Sequence, residues 1–166
     1  DIRPKMKCDL FKLLNELFQN PLTWEFVEEN LIDFLSNIIM PLYALTEQNL
    51  NSFRNDPAEF VYDIQKSDNN FEDIRASASN LIFLLYDEHP EIALACKSIA
   101  ENAYMSYIST FNKTIDDHIV LFASFQMFSS VSRYMNDIDP QLYKQFFANI
   151  SPLFDCDEYF ARTAAF

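Results

Sequence analysis

The sequence predicts an all-α fold on three observations: it contains no glycine, its apolar residues recur at spacings of three and four, and its breaks fall at prolines. Average glycine usage near ~7% would place roughly a dozen in a chain of this length. Without glycine, turns that need positive φ are not a regular device here. A β-rich domain relies on several such turns, whereas helices joined by polar loops and prolines do not. The same absence removes the glycine-built phosphate loops, so neither the Walker nor the dinucleotide fingerprint is present. The 166 residues, 49% hydrophobic and 16% aromatic, suffice for one domain with a substantial core.

The first helix is expected from about Asp9 to Gln19, with Leu10, Leu13, Leu14 and Leu17 on one stripe and Pro21 ending it. Thr23 offers an N-cap to a longer helix in which Trp24, Val27, Leu31, Phe34, Leu35 and Ile38 repeat at helical spacing. Met40-Pro41 closes that helix, because a residue before proline is pushed out of the α region. Residues 42–72 read as an irregular acidic insertion with two short helical pieces. Within it, Asp56-Pro57-Ala58-Glu59 is a helix start: Asp56 caps, Pro57 suits the first helical position, and Glu59 can reach back to the cap. The helix runs through Ile64 and ends in Ser67-Asp68-Asn69-Asn70.

From Asp73, Ile74, Ala78, Leu81 and Leu85 mark one face of a helix that stops before His89-Pro90. Pro90 opens the next, which buries Ile92, Cys96, Ile99, Ala103 and Tyr107 and continues to about Phe111. Thr114 or Ile115 starts a third long helix, apolar from Ile119 to Phe128 except at Ser124 and Gln126. A helix apolar nearly all round must be covered on more than one side. Asp137-Ile138-Asp139-Pro140 repeats the acid-proline start for a shorter helix with Leu142, Phe146, Phe147 and Ile150 inward. Ser151-Pro152 breaks it, and a last helix begins near Asp157.

Grouped, residues 9–41, 73–111 and 115–150 form helix pairs, and 157–166 begins a further repeat. Pairs of ~40–47 residues are the period of HEAT and armadillo repeats, which predicts a right-handed α-α superhelix, or solenoid. A helical bundle with short loops is the competing fold. The chain begins at Asp1 without methionine and stops at Phe166 inside a helical pattern, as expected of a segment cut from a larger solenoid.

The formal charge of −13, from 25 acids against 12 bases, makes a nucleic-acid backbone a poor direct partner and a basic protein a good one. Acidity that merely keeps an aromatic-rich chain in solution is the plain alternative. Asp63, Asp68, Glu72 and Asp73, with Glu88 and Glu91 near a helix junction, offer a negative surface for a lysine- or arginine-rich protein. Helix capping and solvation account for each of them singly. The two histidines, His89 and His118, lie on different helices, and a metal site needs three or four convergent ligands, so no metal or cofactor is expected. Asp155-Cys156-Asp157-Glu158 lacks the glycine of an EF-hand loop and reads as a capped loop. Cys8, Cys96 and Cys156 form no CxxC pair and read as thiols of a reducing compartment. With no nucleophile elbow, kinase signature or catalytic carboxylate pair, the expectation is a non-enzyme. No signal peptide precedes the first helix and the apolar runs are too short or interrupted to span a bilayer, so the chain is expected to be intracellular and free of membrane.

Phe71-Glu72-Asp73-Ile74-Arg75-Ala76 resembles the Asp-Val-Arg core of a HEAT helix, where acid and arginine link successive repeats. The segment from Asp157 to Ala165 looks like a second such start. Met40-Pro41, then Thr46-Glu47-Gln48-Asn49-Leu50-Asn51-Ser52-Phe53, then Asn55-Asp56-Pro57-Ala58-Glu59-Phe60-Val61 resemble the importin-beta, or karyopherin, superfamily. In its large importins an acidic stretch leads into an Asp-Pro-x-Glu-Tyr-Ile-like segment, and Phe60 and Val61 replace its last two positions conservatively. Ile150-Ser151-Pro152-Leu153-Phe154 followed by Tyr159-Phe160-Ala161-Arg162 is similar to the family's Phe-Pro-Leu-Phe turn and arginine-rich helix, with Arg162 alone where two arginines are usual. The resemblance covers roughly residues 31–166 and agrees in order and spacing with the importin-seven and importin-eight branch, more than with the related recycling exportin.

That resemblance implies a central segment of a nuclear transport receptor. It would be a protein-binding scaffold shuttling between cytoplasm and nucleus with basic protein cargo, in a parent chain whose other parts bind Ran-GTP. It also implies that Phe122, Phe125, Phe128, Phe146 and Phe147 could flank crevices for nucleoporin phenylalanine-glycine repeats, against the simpler reading of core packing. The alternative is a HEAT-repeat adaptor or regulatory scaffold subunit outside transport.

Overall fold

A computed structural model describes residues 11–67, apart from 12 and 15, and 74–153, without the side chains of 63–67, 133, 136 and 137. These residues form an all-helical fold with no strand among them. Helix α1 comprises the described residues of 11–18, followed by α2 (Pro21–Glu29) and α3 (Leu31–Phe34). A π-helical stretch (Leu35–Ile39) and a 3-10 turn (Met40–Tyr43) continue α3. Then come α4 (Glu47–Asn55), α5 (Pro57–Ser67), α6 (Ile74–Glu88), α7 (Glu91–Ser109), α8 (Ile115–Ile138) and α9 (Pro140–Ile150), closed by a 3-10 turn (Ser151–Leu153). Helix α5 runs past the expected end at Ile64 and takes in Ser67, the first residue of the expected loop; the rest of that loop, Asp68-Asn69-Asn70, the stretch Phe71-Glu72-Asp73, and the helix start near Asp157 lie outside the described residues.

Among the described residues, none has positive φ. Several corners are turned by polar residues in extended conformation, and two of them share nearly the same backbone angles. Asp56 (φ −147°, ψ 92°) ends α4 and caps α5, accepting from the N–H groups of Ala58 and Glu59 at 3.0 Å each. Asp139 (φ −149°, ψ 94°) ends α8 and caps α9, accepting from Gln141 at 2.9 Å and Leu142 at 3.0 Å. Proline follows each aspartate and excludes the α conformation from it, so one residue terminates a helix and starts the next. The N–H groups of Asp56 and Asp139 still close the preceding helices, each at 2.8 Å, on Ser52 and Met135.

Two further starts are capping boxes. Thr46 and Asn49 satisfy each other's backbone N–H groups at the head of α4, and Thr114 and Asp117 do so at the head of α8.

The N-terminal third departs from expectation in register. Pro21 opens α2 instead of merely ending α1, and Asn20, not Thr23, is the cap, accepting from Leu22 N–H at 3.0 Å. The single helix expected from Trp24 to Met40 is broken at Asn30, whose side-chain amide donates to Phe26 C=O at 3.1 Å and competes with the backbone ladder. In the π-helical stretch Met40 N–H donates to Leu35 C=O, one residue beyond the α spacing. The inward positions shift with it: Ile39 is 1% exposed, whereas Ile38, expected inside, is 54% exposed. In α1 Phe18 is buried, edge-on to Phe34 at 5.3 Å, and Phe11 and Leu14 are partly buried against the core, while Leu13 and Leu17 of the expected stripe are exposed. Leu10 lies outside the described residues.

The core is organised about α8, the longest helix at 24 residues. Its most extensive neighbour is α7, folded back on it through the short loop 110–114, and α6, α9 and the Met40–Tyr43 turn cover other sides. Leu121 through Phe125, Met127, Phe128, Val131 and Met135 are all buried, as an all-round apolar helix requires. The buried Ser124 bonds back to Leu121 C=O at 2.8 Å, so its hydroxyl is satisfied without a partner helix. Three elements are pinned by hydroxyls: Tyr43 Oη lies 3.1 Å from both Ser79 Oγ on α6 and Ser130 Oγ on α8, and Ser130 donates to Ser79 at 3.0 Å.

Two measurements check these caps. Asp139→Ala removes two capping bonds and is expected to cost about 1 kcal/mol in urea denaturation, in the range of measured N-cap losses. Asp117 has its carboxyl held below the ordinary 3.8, first by Thr114 N–H and then by the Thr114 hydroxyl. A depressed folded value means that its contribution is present above 3.8 and is lost as pH falls through the folded value. The melting temperature of Asp117→Ala should therefore lie below that of the parent at pH 7, and the gap should close on acidification below 3.8.

Candidate functional site: the acidic helix junction

Six acids were expected to form one negative surface, and the structure describes the side chains of two of them, Glu88 and Glu91, on either side of one helix junction. Glu88 ends α6, exposed to solvent, and Glu91 opens α7. Asp63 lies on α5 with its side chain outside the description, and Asp68, Glu72 and Asp73 lie outside the described residues.

Between Glu88 and Glu91 the chain bends at His89-Pro90. His89 N–H closes α6 on Leu85 C=O at 2.8 Å, and Ile92 and Ala93 N–H groups donate back to His89 and Pro90 carbonyls at 3.1 Å each. The bend is tight because proline offers a fixed φ of −62° and no N–H to satisfy. It holds the His89 ring half-buried, with Nδ1 3.6 Å from Glu91 Oε1.

Trp24 from α2 covers the other side. Its indole lies 3.5 Å from the imidazole, centroid to centroid, and within 13° of parallel. Trp24 itself is buried, and the stack joins α2 to the α6–α7 bend. Nothing local in the sequence pairs these residues: Trp24 reads as a core position on an amphipathic helix, and His89 as a helix end. Their meeting is set by how α2 and α3 lie against α7, which periodicity does not encode.

Other polar groups serve packing. Arg75, in the segment that resembles a HEAT helix, is buried and donates to Asn49 Oδ1 at 2.7 Å, tying α6 to the capping box of α4. Lys97, buried along its stem on α7, pairs with Glu101 at 2.7 Å one turn on. His118 meets the Tyr107 hydroxyl at 3.2 Å, joining the facing ends of α7 and α8. Among the described residues no group of three or more His, Cys, Asp or Glu converges to hold a metal ion, and no helix is long and apolar enough to cross a membrane.

Comparison with protein-family models, with curated proteins and with solved structures found no match to this chain.

The phenylalanines divide by burial. Phe122, Phe125, Phe128 and Phe146 are core residues, with Phe146 4.6 Å from Phe128 and 6.2 Å from Phe125. Only Phe147 of the five keeps part of its ring at the surface, against Tyr143 at 4.7 Å. Apolar side chains that do reach solvent lie elsewhere: Leu22 and Phe26 on α2, Met105 and Ile108 on α7, and Phe111, 96% exposed, in the loop after it.

Cys96 is a free, fully buried thiol on the inner face of α7, and burial pushes it from 9.0 to about 12. Such a thiol is a packing group, since the thiolate is the reactive form. In a Cys8→Ser, Cys156→Ser background, Cys96 should react with an aromatic disulfide reagent at pH 8 at least roughly a thousandfold more slowly folded than unfolded, in line with the rise from 9.0 to about 12. Because the folded value is raised, its contribution to stability is complete below 9.0 and is lost as pH rises through about 12.

Proposed function

We propose that this chain is a protein-binding scaffold: a central HEAT-repeat segment of an importin-beta-type nuclear transport receptor, binding partners through its surface and performing no covalent chemistry. The observation that carries the scaffold reading is the set of large apolar side chains left on outer helix faces of a strongly acidic protein. Leu22, Phe26, Met105, Ile108 and Phe111 are exposed on a chain of net charge −13. Isolated exposed apolar residues are ordinary, but several along the outer faces of α2 and α7 offer contact area, and the surrounding acids favour a basic partner.

The transport reading rests on the resemblance carried by Asp56-Pro57-Ala58-Glu59-Phe60-Val61. In support, Asp56 caps α5, Pro57 takes its first position, and Phe60 is buried as an anchor against Phe53 and Phe122. In this reading the protein shuttles between cytoplasm and nucleus with basic cargo, Ran-GTP acts through other parts of the parent chain, and nucleoporin phenylalanine-glycine repeats bind at outer helices.

One observation favours a second reading, a helical adaptor or regulatory scaffold outside transport. The dominant helix pair, α7 with α8, joins the two forty-residue units instead of lying within either, which suits a bundle centred on α8 as well as a solenoid.

Ran separates the two readings. The complete reading frame containing this chain, incubated with GTP-loaded and GDP-loaded Ran, should retain the GTP form preferentially if it is a transport receptor; equal or absent retention removes that reading. The acidic surface has its own check. The triple variant Asp68→Lys, Glu72→Lys, Asp73→Lys should weaken binding of a lysine-rich peptide at low salt by about tenfold or more, and unchanged affinity would exclude those positions.

A further inference from the structure

Trp24 and His89 are held face to face by elements distant in sequence, and their surroundings make the contact sensitive to one proton. The rings are 3.5 Å apart and within 13° of parallel, and Glu91 Oε1 lies 3.6 Å from His89 Nδ1. The charged groups flanking the junction are acids: Asp87 and Glu88 at the end of α6, Glu91 at the start of α7, Glu25, Glu28 and Glu29 on α2, and Asp33 on α3; the bases farther along the same helices, Arg75 on α6 and Lys97 on α7, are engaged by Asn49 and Glu101. No lysine or arginine lies on α2, on α3 or in residues 85–93.

An imidazole gains its charge between pH 8 and 5. A proton taken from solvent leaves both ring nitrogens as donors, with Nδ1–H available to Glu91, and an imidazolium over an indole face gains a cation–π attraction that the neutral ring lacks. Both changes act across the same contact and in the same direction. The indole is already buried, so the attraction develops away from bulk water, where it is strongest.

We propose that Trp24, His89 and Glu91 form a proton-operated latch: protonation of His89 fastens α2 to the α6–α7 bend, and loss of the proton loosens it. Because α2 carries the exposed Leu22 and Phe26, the latch governs how firmly that apolar face is held to the rest of the molecule. The half-buried position of His89 leaves it within reach of solvent protons.

Trp24 is the chain's single tryptophan, so its emission reports this contact alone. Imidazolium quenches indole fluorescence more strongly than neutral imidazole. On titration from pH 8 to 5 the emission should fall, and the acrylamide quenching constant should drop about twofold as the latch closes. His89→Phe keeps a flat ring without a titrating nitrogen, and His89→Gln removes the ring. Circular dichroism identifies which variants fold, and each that folds should lose the pH response of both signals. An unchanged acrylamide constant between pH 8 and 5 in the parent protein, or a parent-like pH response in a folded His89 variant, would overturn the latch.

Discussion

Burial of the stretch 121–128 of α8 is the constraint from which the rest of the arrangement follows. A helix with buried residues in nearly every position from Leu121 to Phe128 cannot face water anywhere along that length. Four other elements are drawn in to cover it: α7, α6, α9 and the short turn Met40–Tyr43. The turn is the least obvious of these, and it explains the irregular backbone before it. The π-helical stretch re-phases the chain so that Leu35, Ile39 and Tyr43 all point inward, and Tyr43 then delivers its hydroxyl to Ser79 and Ser130. Apolar burial alone tolerates sliding of one helix along another, whereas three hydroxyls with mutual distances of 3.0–3.1 Å allow one register.

The absence of glycine sets how the corners are made. Helices commonly end with a residue of positive φ, and this chain has no such residue among those described. It uses aspartate before proline instead. Proline excludes the α conformation from the preceding residue, and the aspartate then uses its carboxylate to satisfy the first free N–H groups of the following helix. Asp56 and Asp139 adopt backbone angles within a few degrees of each other in unrelated parts of the fold, so the geometry belongs to the dipeptide and not to its surroundings. Part of the acidic charge is accounted for in this way: Asp56, Asp117 and Asp139 are structural acceptors at helix starts.

That assignment bears on function, since an acid occupied in capping contributes less to a binding surface than one facing solvent. Of the candidate acids within the described side chains, Glu88 is free at the surface, and Glu91 is turned toward His89. The junction they flank is therefore more than a patch of charge. It is where α2, α6 and α7 meet, and its aromatic stack sits beside the exposed apolar residues of α2. A scaffold reading draws on both features, apolar contact area and negative potential.

The helical class, most helix boundaries and most inward faces from Ala78 onward follow from the amino-acid order alone. These depend on local rules: proline and capping residues act within three or four positions, and amphipathic spacing acts within a turn or two. That order also requires α8 to be enclosed. What encloses it, with α7 as its main partner, emerges from the three-dimensional packing. The same holds for the break at Asn30, the π-helical shift that exchanged Ile38 for Ile39, and the stacking of Trp24 on His89. Each depends on which distant surfaces meet, and periodicity in one helix carries no record of the register of another. The candidate site was legible only as a cluster of acids, because its aromatic half is assembled from helices that the sequence keeps apart.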